Sequence, residues 1–168
     1  MANTYTLISS VTVGSGGAAN IQLASIPSTY TDLVLVTSLR DNAGSFSANI
    51  TFNNSTSSYS NRYLRGDGST TSSSTGSITT YLQSFSVGSS FTANTFSSNY
   101  IYIPNYAGSN NKSVSIDMVT ENNSTTSYAQ INAGLWSNTS AITEIDITTG
   151  DGSFVQYSTA YLYGISNA

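Results

Sequence analysis

A chain of 168 residues, 38% of them hydrophobic, is long enough for one domain with a sizeable core. Only 7% of residues are charged, against about 25% in an ordinary domain; the net charge is −4, and Arg40, Arg62, Arg65 and Lys112 are the only cations. Four cations cannot build the basic stripe of a nucleic-acid binder or a polybasic membrane contact, and the lack of His and Cys removes the commonest general base, the commonest transition-metal ligand and any disulfide. The opening MANTYTLISSVTV has no cationic or continuous apolar stretch, so no signal peptide is expected. No run approaches the roughly 18 apolar residues of a transmembrane helix. Ser and Thr supply 56 residues and Asn another 17, which predicts a neutral surface of hydroxyls and amides.

Period-2 alternation marks the predicted elements in chain order. Residues 4–13 and 20–26 are modest strand candidates on either side of GSGGA. TDLVLVTSL (31–39) is stronger: Leu33, Leu35 and Leu39 point one way and Val34 and Val36 the other, as in a central strand covered on both faces. Candidates at 46–53 and 57–64 follow, the second running into Arg65-Gly66-Asp67. That tripeptide reads as a strand end bearing Tyr63 and Leu64, a Gly-Asp-Gly turn, and a mobile hydroxyl-rich loop, GDGSTTSSSTGS (66–77). Further strands are expected at 78–87 and in NYIYIP (99–104). SVSIDMV (113–119) sets Val114, Ile116 and Met118 against Ser115 and Asp117. YAQINAGLW (128–136) sets Ala129, Ile131, Ala133 and Leu135 against Gln130 and Asn132, with Trp136 expected at the edge of the core. ITEIDIT (142–148) and TAYLYGI (159–165) complete about ten or eleven strands, separated by Gly, Asn and Ser clusters. No stretch shows a helical apolar period. The expectation is an all-β antiparallel two-sheet sandwich of jelly-roll type, residues 1–168 forming a single domain. An immunoglobulin-like sandwich fits less well, because the Cys…Trp…Cys pattern is missing.

Each candidate site has a plainer reading beside it. Glu144 and Asp146, two apart on one strand, share a face at roughly 7 Å, as an acid/base pair would, but so does any solvated outer face. GDGS (150–153) and DNAGS (41–45) carry oxygen ligands yet lack the spacing of a calcium loop, so they are expected to be turns. Seven Asn-x-Ser/Thr sequons are about what so Asn-, Ser- and Thr-rich a chain holds by chance. Tyr100, Tyr102 and Tyr106 could form an amphipathic contact surface, or simply fill strand faces. With Arg62, Arg65 and Asp67 they are the candidate interface residues. No catalytic residue, metal ligand or cofactor is expected, and the chain is read as a non-enzyme.

Four segments carry a resemblance: IPSTYTDLVLV, YIYIPNYAGSNNKSVSIDMVTENN, AGLWSNTSAITEIDI and YLYGI. Together, from about Ile26 to Ile165, they resemble small β-rich structural proteins of tailed bacteriophages, including phages of cyanobacteria. The resemblance implies a virion component made in the host bacterial cytoplasm and carried on the particle surface. It would be a capsid decoration (cement) protein that binds the major capsid protein or other virion proteins, with a homotrimer expected by analogy. A tail-fibre or receptor-binding module is the alternative, with a carbohydrate as its ligand.

Overall fold

The computed structural model describes residues 4–44 and 46–166, and these fold into twelve strands in two antiparallel sheets, with no helix. The strands are β1 (Tyr5–Thr12), β2 (Asn20–Leu23), β3 (Asp32–Ser38), β4 (Ser47–Phe52), β5 (Tyr59–Gly66), β6 (Thr71–Gly76), β7 (Leu82–Phe85), β8 (Ser98–Ile103), β9 (Lys112–Val119), β10 (Ala129–Trp136), β11 (Ile145–Thr149) and β12 (Thr159–Ile165). The large sheet runs β1-β12-β3-β8-β9-β10-β5-β6 and the small one β2-β11-β4-β7. The expected all-β sandwich is therefore what the chain forms.

One core lies between the sheets. From the large sheet Leu33, Leu35, Ile101, Ile103, Val114, Ile116, Met118 and Leu162 point inward; from the small sheet come Ile21, Leu23, Ile50, Phe52, Leu82, Ile145 and Ile147. β3 sits between β12 and β8 and is covered on both faces, as its double apolar pattern requires. Trp136 is fully buried, packed edge-on to Phe52 and stacked on Tyr59, so it belongs to the core and not to its edge.

Two pairs of strands widen the large sheet from four strands to eight. The hairpin β5–β6 leaves the chain between β4 and β7, and β9–β10 leaves it between β8 and β11. Where β10 and β5 pass β7, the edge of β7 is closed by side-chain amides. Asn132 Nδ2 donates to Gln83 O at 3.1 Å, Gln83 N–H donates to Asn61 Oδ1 at 3.1 Å, and Asn61 Nδ2 donates to Tyr81 O at 3.0 Å. Buried amides placed here satisfy backbone groups that a sheet edge would leave open.

This arrangement turns β10 over. Gln130, Asn132, Gly134 and Trp136 face inward, while Ala129, Ile131 and Ala133 are exposed. Its apolar row thus faces solvent and its amides face the interior, because Asn132 has a backbone partner there and Trp136 shares their parity.

The hydroxyl-rich stretch expected as a mobile loop is different too. Thr71–Gly76 is a regular strand paired residue by residue with Asn61–Gly66, from Asn61↔Gly76 to Gly66↔Thr71. The Asn clusters serve as turns through left-handed backbone: Asn53, Asn54, Asn105 and Asn123 have φ between 51° and 55°. Arg40 pins the 91–95 loop by donating to the carbonyls of Thr92 and Thr95, both at 2.9 Å, and of Phe91 at 3.3 Å.

Candidate functional site: the outer face of the large sheet

The register fixes which side chains share the outward face of the large sheet. One row crosses six strands as Tyr161, Val36, Tyr100, Asp117, Ile131 and Leu64; the next runs Tyr163, Val34, Tyr102, Ser115, Ala133 and Arg62. Val119 and Ala129 lie opposite each other one pair further along. β1 adds Tyr5 and Leu7, paired with Ile165 and Tyr163.

The face has two adjoining zones. On β1, β12, β3 and β8 tyrosines flank a valine pair, and Val34 is 1% exposed although it points away from the core. On β9, β10 and β5 the zone is aliphatic: Leu64 is 57% exposed, Ile131 59% and Val119 44%. These last side chains border a shallow groove of about 510 Å³, lined also by Ala129, Thr71 and Asp117. Exposed apolar side chains clustered on one flat face are unusual in a soluble monomer.

Phenols are tied down across the tyrosine zone. Tyr5 and Tyr100 hydroxyls hydrogen-bond at 3.2 Å, and this bond, with burial, pushes the Tyr100 phenol up to about 12. Tyr102 donates to Asp32 Oδ2 at 2.7 Å, and that carboxylate raises its pKa as well. Asp32 Oδ1 accepts the N–H of Asn105 at 2.9 Å, so the aspartate also holds the turn after β8.

Of the six candidate interface residues, Arg62, Tyr100 and Tyr102 share this outer face. The other three do not. Tyr106 is fully buried, with its hydroxyl bonded to the Pro27 carbonyl and accepting the Tyr30 N–H, so it is a core residue. Arg65 points to the opposite face, its guanidinium 4.5 Å from the Tyr128 ring centroid and 5.6 Å from that of Tyr63. Asp67 caps the β5–β6 turn: its carboxylate accepts the N–H groups of Ser69 and Thr70, at 2.9 and 2.6 Å, and the Thr70 hydroxyl at 2.9 Å. Those donors hold the carboxylate below its usual pKa. Arg-Gly-Asp thus ends β5 and opens the hairpin turn, and its two charged groups are each committed locally.

Glu144 and Asp146 face outward from the small sheet, where each is met by an amide of β2. Asn20 Nδ2 donates to Asp146 Oδ1 at 2.8 Å and Gln22 Nε2 to Glu144 Oε1 at 3.1 Å. Burial raises the Asp146 pKa, partly offset by Asn20. The Asp41 carboxylate is buried and takes the Ala43 N–H at 2.9 Å and the Ser86 hydroxyl, so DNAGS begins as the expected turn; Ser45, its last residue, lies outside the described residues. GDGS is likewise a turn, with Gly152 at φ 78° and Ser153 N–H donating to Asn42 Oδ1 at 2.8 Å. Among the described residues no three acidic side chains converge as a metal site would require.

Sequence reasoning missed Leu64, Val119 and Ile131 as surface residues. The signal was present in β10: Trp136 and Gly134 share parity with Gln130 and Asn132, and the largest side chain belongs inside. Set against models of known protein families, the chain matches none, and set against curated proteins it again has no match.

Proposed function

We propose that this chain is a structural protein of a tailed-phage particle, a capsid decoration protein that docks on the shell through the outer face of its large sheet. The observation carrying this reading is the inverted β10, which puts Ile131 and its neighbours on the surface beside Leu64, Val119 and the tyrosine zone. A face so apolar and so poor in charge fits a protein partner, since interface cores are depleted in charged residues and enriched in tyrosine. The resemblance of the four sequence segments supplies the particle.

The strand order supports the jelly-roll reading of the sandwich. With β5, β6, β9 and β10 set aside, the remaining strands run β1-β12-β3-β8 and β2-β11-β4-β7, successive strands passing from sheet to sheet except β4 and β7, which pair within the small one. The four set aside build the aliphatic half of the docking face, so the proposed partner surface is an elaboration on a compact eight-strand frame.

Co-sedimentation with particles lacking the protein tests this. Wild-type protein is expected to pellet with shells in hundreds of copies, and Ile131→Asp to lose binding at least tenfold with its fold unchanged, because the side chain it replaces is solvent-exposed. A stoichiometry near a dozen, or full binding by Ile131→Asp, overturns the reading. The tyrosine zone favours a second reading, a tail module that stacks sugars on exposed rings such as Tyr100. Binding to host glycans that is lost on Tyr100→Ala would select it.

A further inference from the structure

We infer that β6 is a pairing edge for a second copy of this chain, joining two large sheets antiparallel about a two-fold axis at Ser73.

The two sheets have four edge strands, and three of them are protected in ways known to block edge-to-edge pairing. β2 and β7 are four residues long, and β7 is further closed by the amides of Asn61 and Asn132. β1 carries a bulge between Leu7 and Ser9. β6 has none of these: six residues, unbroken register with β5, no charge, no proline, and residues 71–75 exposed on both faces.

The sequence of β6 says what fits it. Thr71-Ser72-Ser73-Ser74-Thr75 reads the same in both directions. Antiparallel pairing about Ser73 therefore sets Thr71 against Thr75 of the second copy, Ser72 against Ser74, and Ser73 against itself. Each cross-strand pair is then a hydroxyl pair able to hydrogen-bond, with no like charges opposed.

The backbone parity agrees. Asp67 N–H donates to Thr70 O at the turn, which makes 67/70 a hydrogen-bonded pair. By alternation 66/71, 64/73 and 62/75 are non-bonded pairs, so Thr71, Ser73 and Thr75 turn their N–H and C=O groups away from β5. Those are the residues that self-pairing about Ser73 brings into bonded positions. The joined sheet would also carry the Leu64–Ile131 row of each copy along one continuous outer face. This contact is isologous and closes as a dimer, whereas a trimer needs a head-to-tail contact elsewhere. It does not rest on the docking proposal, and the experiments separate the two.

Analytical ultracentrifugation of the full chain, with no shell present, reads the association directly. Wild type is expected to shift from monomer to dimer with concentration. Ser73→Lys, which sets two ammonium groups against each other at the axis, is expected to weaken the dimer at least tenfold, with unchanged circular dichroism and with unchanged melting at concentrations where both proteins are monomers. Because the chain has no cysteine, Ser73→Cys gives a second reading. A bonded antiparallel pair places the two Cα atoms about 5.5 Å apart, within disulfide reach, so mild oxidation is expected to yield a covalent dimer. Ser69→Cys, whose Cα atoms would lie roughly 27 Å apart, is expected to stay monomeric under the same oxidation. A wild type that is monomeric throughout or trimeric overturns the inference, as does a dimer indifferent to Ser73→Lys. In a second oxidation with shells added, cross-linking of Ser73→Cys only to a shell protein would hand the edge to a different partner and overturn it equally.

Discussion

Tyr59 shows how a single polar atom in the core sets a pH limit on the fold. Its ring is buried against Trp136 and Phe52, its hydroxyl oxygen accepts the Phe52 N–H at 2.8 Å, and burial pushes the phenol up to about 12. In the unfolded chain the phenol ionises near pH 10. Above that pH the unfolded state has lost the proton that the folded state keeps, so stability falls as pH rises from about 10 to about 12. Tyr100, Tyr102 and Tyr106 are shifted upward too and act in the same direction. Urea midpoints measured between pH 8 and 12 are expected to drop through this window, and less steeply for Tyr59→Phe. That variant should also be weaker by about 1 kcal/mol at neutral pH, since the Phe52 N–H loses its acceptor. An equal alkaline slope in both proteins would remove Tyr59 from this account.

At the scale of elements, legibility followed burial. β9 and β12 could be read from the sequence because a strand with one buried face must alternate, and β3 because a short run apolar on both faces marks a covered central strand; Leu33, Val114 and Leu162 are buried as those patterns require. β6 could not be read, because its side chains are exposed on both faces and its existence depends on pairing with β5, which no local pattern encodes. β10 could be found but not oriented: its alternation is clear, yet which face is inside depends on Asn132 meeting Gln83 from another sheet. Tyr106 followed the same rule, its place settled by the remote Pro27 carbonyl and not by its tyrosine neighbours. Gly134 marks where the sheets meet. A Cβ there would lie 2.8 Å from Leu82 Cδ2, and Leu82 is fully buried at the edge of the small sheet. Gly134→Ala is expected to overpack this junction and lower stability by roughly 1–3 kcal/mol, read as a denaturant midpoint shift without change of slope. No shift would mean that β7 can move away from β10 freely, contrary to the amide closure described above.

The whole molecule presents two unlike outer faces. The small sheet turns Asn20, Gln22, Thr51, Glu144 and Asp146 outward, a hydrated surface holding two of the eight acidic residues. The large sheet turns out tyrosines and aliphatic side chains with few charges, Asp32, Asp117 and Arg62 among them. Because the two faces use different forces, docking through one or the other has a different thermodynamic signature. Burial of the large-sheet face removes apolar surface from water, so binding to shells should carry a negative heat-capacity change. Its affinity should change by less than about threefold between 50 and 500 mM NaCl, since screening acts on exposed charges and this face has few. Docking through the small-sheet face, where amides, Thr51, Glu144 and Asp146 point outward, would instead bury mostly polar surface and give little heat-capacity change. Titration calorimetry at several temperatures and two salt concentrations measures both quantities on the same samples. A heat-capacity change near zero would move the docking site off the large sheet, whatever the effect of Ile131→Asp.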